Sequence, residues 1–166
     1  MQAALQLIHQ RRSIRKFTDQ PVAKEHIQAM LEAAMAAPSA HNRQHWHFIV
    51  VQERETLDRL SDVHRYAKML KQATLCIAVC GDATHTFWQQ DCAAATQNIL
   101  LAATGLGLGS VWLGIYPNPE PVQAVRDLLQ VPASHTPFCL IALGHPAEEK
   151  GPAQRFDPAK VHYEKW

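Results

Sequence analysis

The chain lacks an excess of charge of either sign: 16 Lys and Arg stand against 15 Asp and Glu, a formal net charge of +1. That balance excludes a general nucleic-acid binder and an acidic solvating tail. Cysteine is sparse. Cys76, Cys80, Cys92 and Cys139 form no C-x-x-C pair and lie in apolar stretches, so buried free thiols are expected rather than a disulfide scaffold. There is no P-loop, no H-E-x-x-H and no G-x-S-x-G, which removes three familiar routes to phosphate, zinc and serine chemistry. The opening MQAALQLIHQRR is too short and polar for a signal peptide, and its arginines follow the apolar residues. Ala93 to Pro119 has no Asp, Glu, Lys or Arg, yet it holds Thr96, Gln97, Asn98, Thr104, Ser110 and four glycines. Such a stretch breaks rather than spans a membrane. A soluble, cytoplasmic protein that binds neither membrane nor nucleic acid is the expectation.

What is present suits one globular domain over residues 1–166, with 47% hydrophobic residues to build a core. No repeat, low-complexity tract or linker divides it. Residues 2 to 11 can form a short helix with Leu5 and Ile8 on one face. Ile27, Met30, Leu31, Ala34 and Met35 recur at helical spacing until Pro38 stops them. Further helices are expected from Glu53 to Val63, Asp91 to Thr104 and Val122 to Leu129. The helix at Asp91 to Thr104 is apolar almost all round and should be buried on every side. Strands are expected at Trp46 to Val51, Leu75 to Cys80, Ser110 to Tyr116 and Phe138 to Leu143. The fold class is α+β, a central sheet covered by helices. A polar tail from Gly144 ends in Tyr163 and Trp166, large aromatics that should dock on their own domain or on a partner chain.

Three clusters could carry chemistry. Arg11, Arg12, Arg15 and Lys16 crowd a helix end around Ser13. They either face solvent or hold an anion, for which guanidinium forks and a hydroxyl suit a phosphate; Arg155 could join them. The second cluster, Pro38-Ser39-Ala40-His41-Asn42-Arg43-Gln44-His45-Trp46-His47, collects amide and hydroxyl groups in a loop between a helix and a strand. Its histidines fit no familiar zinc spacing, so a metal-dependent hydrolase built on His41, His45 and His47 is the weakest of the readings. The third, Gly105-Leu106-Gly107-Leu108-Gly109-Ser110, imitates a dinucleotide fingerprint in reverse: it closes a helix and enters a strand. These glycines make a tight turn or let backbone amides approach a flat ligand.

In this order, RRSIRKF, APSAHNRQHWHF, DCAAATQNILLAATGLGLGSVWLGIYP and the tail RFDPAKVHYEKW resemble the FMN-dependent nitroreductase family over nearly the whole chain. The resemblance implies a nitroreductase-like fold with a central, mainly antiparallel sheet flanked by helices. It also implies an intertwined homodimer with FMN in two interface clefts. Carried over by position, Arg11, Arg12 and Ser13 would hold the phosphate and ribityl chain, with Arg155 as a further phosphate ligand. Arg15 would lie near the pyrimidine edge of the ring. Pro38, Ser39, Ala40, Asn42 and Gln44 would reach the flavin from the partner chain. Leu113, Gly114 and Ile115 would bring a backbone N–H near flavin N5.

On that resemblance the chemistry belongs to FMN and no side chain is catalytic. NADH or NADPH would reduce the flavin and leave, and a nitroaromatic, quinone or similar electron-poor compound would then take the electrons, in ping-pong order. A flavin carrier or sensor with little turnover is the alternative; dehalogenation or flavin breakdown would need lid residues that the chain does not show. Two positions depart from the family's habit: Ala40 stands where a serine is common, and His45 where a proline often precedes Trp46. Loss of one hydroxyl should weaken flavin binding by about 1 kcal/mol.

Overall fold

Period-two alternation organises the sheet. The computed structural model describes residues 3–166. Strands β1 (Trp46–Val51), β2 (Leu75–Gly81), β3 (Gly109–Gly114) and β4 (Thr136–Gly144) form one antiparallel sheet in the order β1-β2-β4-β3. The central β2 is buried along its whole length, as a strand covered on both faces must be. Its Leu75, Ile77 and Val79 join Cys139, Ile141 and Leu143 of β4 on one face. Cys76 and Ala78 join Leu140 and Ala142 on the other. Helices α2 (Lys24–Met35) and α4 (Trp88–Gly105) cover the first face through Ile27, Met30, Ala34, Ala95, Ile99 and Ala103. Helices α3 (Arg54–Leu60) and α5 (Pro119–Leu129) cover the second through Leu57, Leu60 and Val125. The fold is therefore α+β, as expected.

Element ends differ from expectation for local reasons. Helix α1 runs Ala3–Gln10, and residue 2 lies outside the described residues. Helix α3 ends at Leu60, short of Val63. Helix α4 begins at Trp88, one turn before Asp91, because the Trp88 ring is buried in the core against Tyr116. Helix α5 begins at Pro119, since proline in a first helical turn forfeits no hydrogen bond. Strand β3 stops at Gly114, not at Tyr116. Helix α4 is also not buried all round: Ala93, Ala94, Gln97, Leu101 and Thr104 are only half covered.

The glycine run does two jobs. Gly107 takes a left-handed φ of 72° in the turn between α4 and β3. Gly109 and Gly144 face each other across β3 and β4 and leave a seat for the segment after α1. Ile14 N–H donates to the Ser110 carbonyl at 2.9 Å, and Thr18 N–H to His145 O at 2.9 Å. A Cβ on Gly109 would stand 2.7 Å from Ile14 Cγ2 and 3.0 Å from Ile14 Cβ. So Gly109 admits a protein side chain, not a flat ligand. Because the β-branched Ile14 has few rotamers to retreat into, Gly109→Ala is expected to destabilise the chain by about 1–3 kcal/mol. A denaturant midpoint equal to wild type would show that the seat has slack.

All four cysteines are free and buried, as their apolar contexts led us to expect. No helix among the described residues is long and apolar enough to cross a membrane.

Candidate functional site

The seat fixes where the basic segment goes. Arg11 and Arg12 leave the end of α1 and line a cleft of about 860 Å³ together with Arg155, Gln97 and Phe156. Among the described residues, no carboxylate lines this cleft. Arg12 Nε donates to Gly151 O at 2.6 Å and Nη1 to Arg11 O at 2.5 Å, while its Nη2 is buried without a hydrogen-bond partner. Burial, then the charges of Arg155 and Arg12, hold the Arg11 pKa below its ordinary value. Three like charges pressed together with one idle donor are a site for an anion. Ser13 lies beside them, paired with Ser110 across a parallel bridge, its carbonyl accepting from Lys150 Nζ at 2.7 Å.

Two residues further on, Arg15 enters a second cleft, of about 380 Å³, with Leu113, Gly114, Lys68 and Tyr66. The Arg15 N–H donates to Glu148 Oε1 at 2.6 Å, and that bond holds the Glu148 carboxyl below its usual range. Lys68 Nζ meets Asp62 Oδ1 at 2.6 Å and lowers the Asp62 pKa in the same way. Strand β3 is a sheet edge. Ser110 spends its outward carbonyl on Ile14, so alternation leaves the Gly114 N–H pointing outward along the same edge. A Cβ on Gly114 would meet nothing within 4 Å. Ile115, by contrast, is fully buried and donates its N–H to Phe138 O at 3.2 Å. Of the three residues expected here, Leu113 and Gly114 reach the cleft and Ile115 does not.

The polar loop folds tightly on itself. Ser39 Oγ accepts the Gln44 N–H at 3.1 Å, and Gln44 Nε2 donates to Asn42 Oδ1 at 2.8 Å. His41, Asn42 and Gln44 take left-handed φ values of 54°, 54° and 50°, each costing roughly 1–2 kcal/mol for a residue with a side chain. Both carboxylate oxygens of Asp91 accept the Ala40 N–H, at 3.1 and 3.2 Å. His45 is nine-tenths buried and neither ring nitrogen finds a hydrogen bond. Burial, then neighbouring His85, hold it below the ordinary histidine pKa. His47 sits instead on β1, edge-on to His135 at 4.2 Å between ring centres. No group of three or more His, Cys, Asp or Glu among the described residues is placed to hold a metal ion.

The expected residues thus gather in three places. Arg11, Arg12 and Arg155 share one cleft; Arg15, Leu113 and Gly114 share another; Pro38, Ser39 and Ala40 line a hollow against Phe87, Gln90 and Ala94 of α4 and the turn before it. Asn42 and Gln44 face outward on the same loop. Sequence reasoning missed Lys68 beside Arg15, since nothing local distinguishes it from an ordinary surface lysine. It also gave Asp91 no part in the loop, although a carboxylate buried to 5% exposure needs donors from somewhere.

Comparison with known proteins shows the family and the fold. The profile of the Nitroreductase family matches residues 8–65 and 61–145. A relative from Archaeoglobus fulgidus, provisionally named an NADH dehydrogenase/NAD(P)H nitroreductase, is 46% identical over the full length of both chains. An FMN-dependent nitroreductase structure from Clostridium difficile superposes with a TM-score of 0.93 at 33% identity, covering 98% of this chain and 99% of that one. A provisionally named nitroreductase from Desulfovibrio desulfuricans, solved in complex with FMN, gives a TM-score of 0.85 at 34% identity, covering 100% and 99%.

Proposed function

The chain belongs to the nitroreductase family, and on that premise we propose that it is a single-domain, cytoplasmic FMN-dependent oxidoreductase, active as a homodimer, that uses NADH or NADPH. The observation that carries the reading is the convergence of Arg11, Arg12 and Arg155 around an unpartnered, buried Arg12 Nη2. The group that fits is a phosphate monoester, which accepts several charge-assisted bonds at once. Bound there, FMN would supply two-electron chemistry, hydride in from the nicotinamide and out to a nitroaromatic, quinone or similar acceptor, in ping-pong order.

The chain's own residues bind and orient. Arg11, Arg12 and Arg155 anchor the phosphate, with Ser13 beside them. Arg15 places a cation, and the neighbouring Lys68 a second, where negative charge develops on the pyrimidine side of the ring. Gly114 offers an outward N–H to a ring laid along the edge of β3, and the lack of a Cβ lets it come close. Ile115 supports that strand end from beneath.

What one copy leaves open supports the dimer. Phe156, Tyr163 and Trp166 are 85%, 85% and 101% exposed, and α4 keeps a half-covered apolar face. Ser39, Ala40, Asn42 and Gln44 stand apart from the arginines' cleft, so they would serve the cofactor of the other subunit.

A visible spectrum of the purified protein, before and after anaerobic NADH and then NADPH, tests the reading. A flavin band that bleaches with either donor supports it and identifies the donor. A band that persists with both favours a carrier or sensor. Protein that stays colourless after added FMN overturns it.

A further inference from the structure

Asp91 lies in the first turn of α4, 51 residues from the loop it touches. Its side chain is almost wholly buried, and its two carboxylate oxygens share the Ala40 N–H, at 3.1 and 3.2 Å. Among the described residues, that is the one side-chain hydrogen bond between the Ser39–Gln44 loop and the helices of the core. The others, Ser39 Oγ to Gln44 N–H and Gln44 to Asn42, stay within the loop. Arg43 leans outward on His85 Nδ1 at 3.2 Å, at the exposed surface.

A loop with three left-handed, non-glycine residues in four positions relaxes unless something outside it holds its shape. The neighbouring His45 supplies no alternative: its Nδ1 is 3.7 Å from Asp91 Oδ2, too far for a hydrogen bond, and both ring nitrogens are unpartnered. We propose that Asp91 is a positioning residue for flavin binding: through Ala40 it clamps the Ser39–Gln44 loop in the shape that meets the cofactor, and in the dimer it does so for the other subunit's site. The inference rests on the assignment of this loop to FMN. It adds a residue that never touches the flavin and whose role crosses the interface.

Asp91→Ala removes the acceptor and Asp91→Asn keeps one, because an amide carbonyl still receives the Ala40 N–H. Two readings of each variant decide the matter: amide hydrogen exchange at residues 40–44 of FMN-free protein, and the FMN dissociation constant from titration of the same protein. Asp91→Ala is expected to speed exchange in the loop and to weaken FMN binding by about tenfold or more. Asp91→Asn should restore both to near wild type, and the melting temperature of FMN-free Asp91→Ala should move by less than about 4 °C. A purely structural role would do the reverse, lowering the melting temperature while leaving FMN affinity intact. Wild-type exchange and affinity in Asp91→Ala, or an Asn variant as impaired as the Ala variant, overturns the proposal. Should Asp91→Ala not fold, Asp91→Ser, polar but too short to reach Ala40, takes its place. The exchange measurement needs no flavin, so a wild-type chain that binds no FMN sinks the proposed function and leaves the clamp separately testable.

Discussion

Arg11→Ala combined with Arg12→Ala is expected to purify without a flavin band and to regain one only at FMN concentrations far above those that saturate wild type. A hydrogen bond to a charged group contributes about 1.5–3 kcal/mol. Two lost guanidiniums therefore cost about 3–6 kcal/mol, or roughly two to four orders of magnitude in affinity. The fold should survive. Arg12 makes its bonds to backbone carbonyls only, Gly151 O and Arg11 O, and removing Arg11 relieves the native state of its repulsion with Arg155 and Arg12. Circular dichroism of the double variant should match wild-type protein stripped of FMN. A variant that purifies fully loaded refutes the phosphate assignment.

Truncation after Arg155 is expected to have an equally large effect, on assembly. It removes Phe156, at the rim of the arginine cleft, and Tyr163 and Trp166, all three largely exposed in one copy, with Trp166 stacked on His162 at 4.3 Å between ring centres. Aromatics of this size bury about 150–250 Å² each when covered, and at about 25 cal/mol/Å² that exceeds 3 kcal/mol apiece. Loss of even one such contact raises a dimer dissociation constant by about two orders of magnitude. Sedimentation across a dilution series should show the truncated chain dissociating where the full chain remains paired. A truncated dimer as tight as wild type would mean that the tail does not cross to the partner.

Much of this was legible in the sequence because it is written in periods. The short apolar run from Leu75 to Cys80, closed by Gly81 and Asp82, marks β2, and the 3.6-residue recurrence of Ile27, Met30 and Ala34 marks α2. The convergence of Arg155 on Arg11 and Arg12 was open in the sequence as one of two outcomes, since charge density names a ligand class but not a geometry. Lys68 and Asp91 were not legible as site residues. Each acts across a fold contact, Lys68 beside Arg15 and Asp91 on Ala40, and no spacing along the chain records such pairings. The glycine run was read as a tight turn or a close approach, and it holds both: Gly107 makes the turn, while the visitor at Gly109 is Ile14, whose return to that strand no spacing records.

The buried thiols have a consequence for the life of the protein. Burial raises Cys76, Cys80 and Cys92 to about 12 and lifts Cys139 likewise, so at neutral pH almost none of the sulfur is thiolate, the form that peroxide attacks. An enzyme of the proposed kind that spills electrons onto dioxygen generates peroxide within its own walls. The core of sheet and helix keeps its sulfur protonated and out of reach, so peroxide formed at the site would find little thiolate to attack.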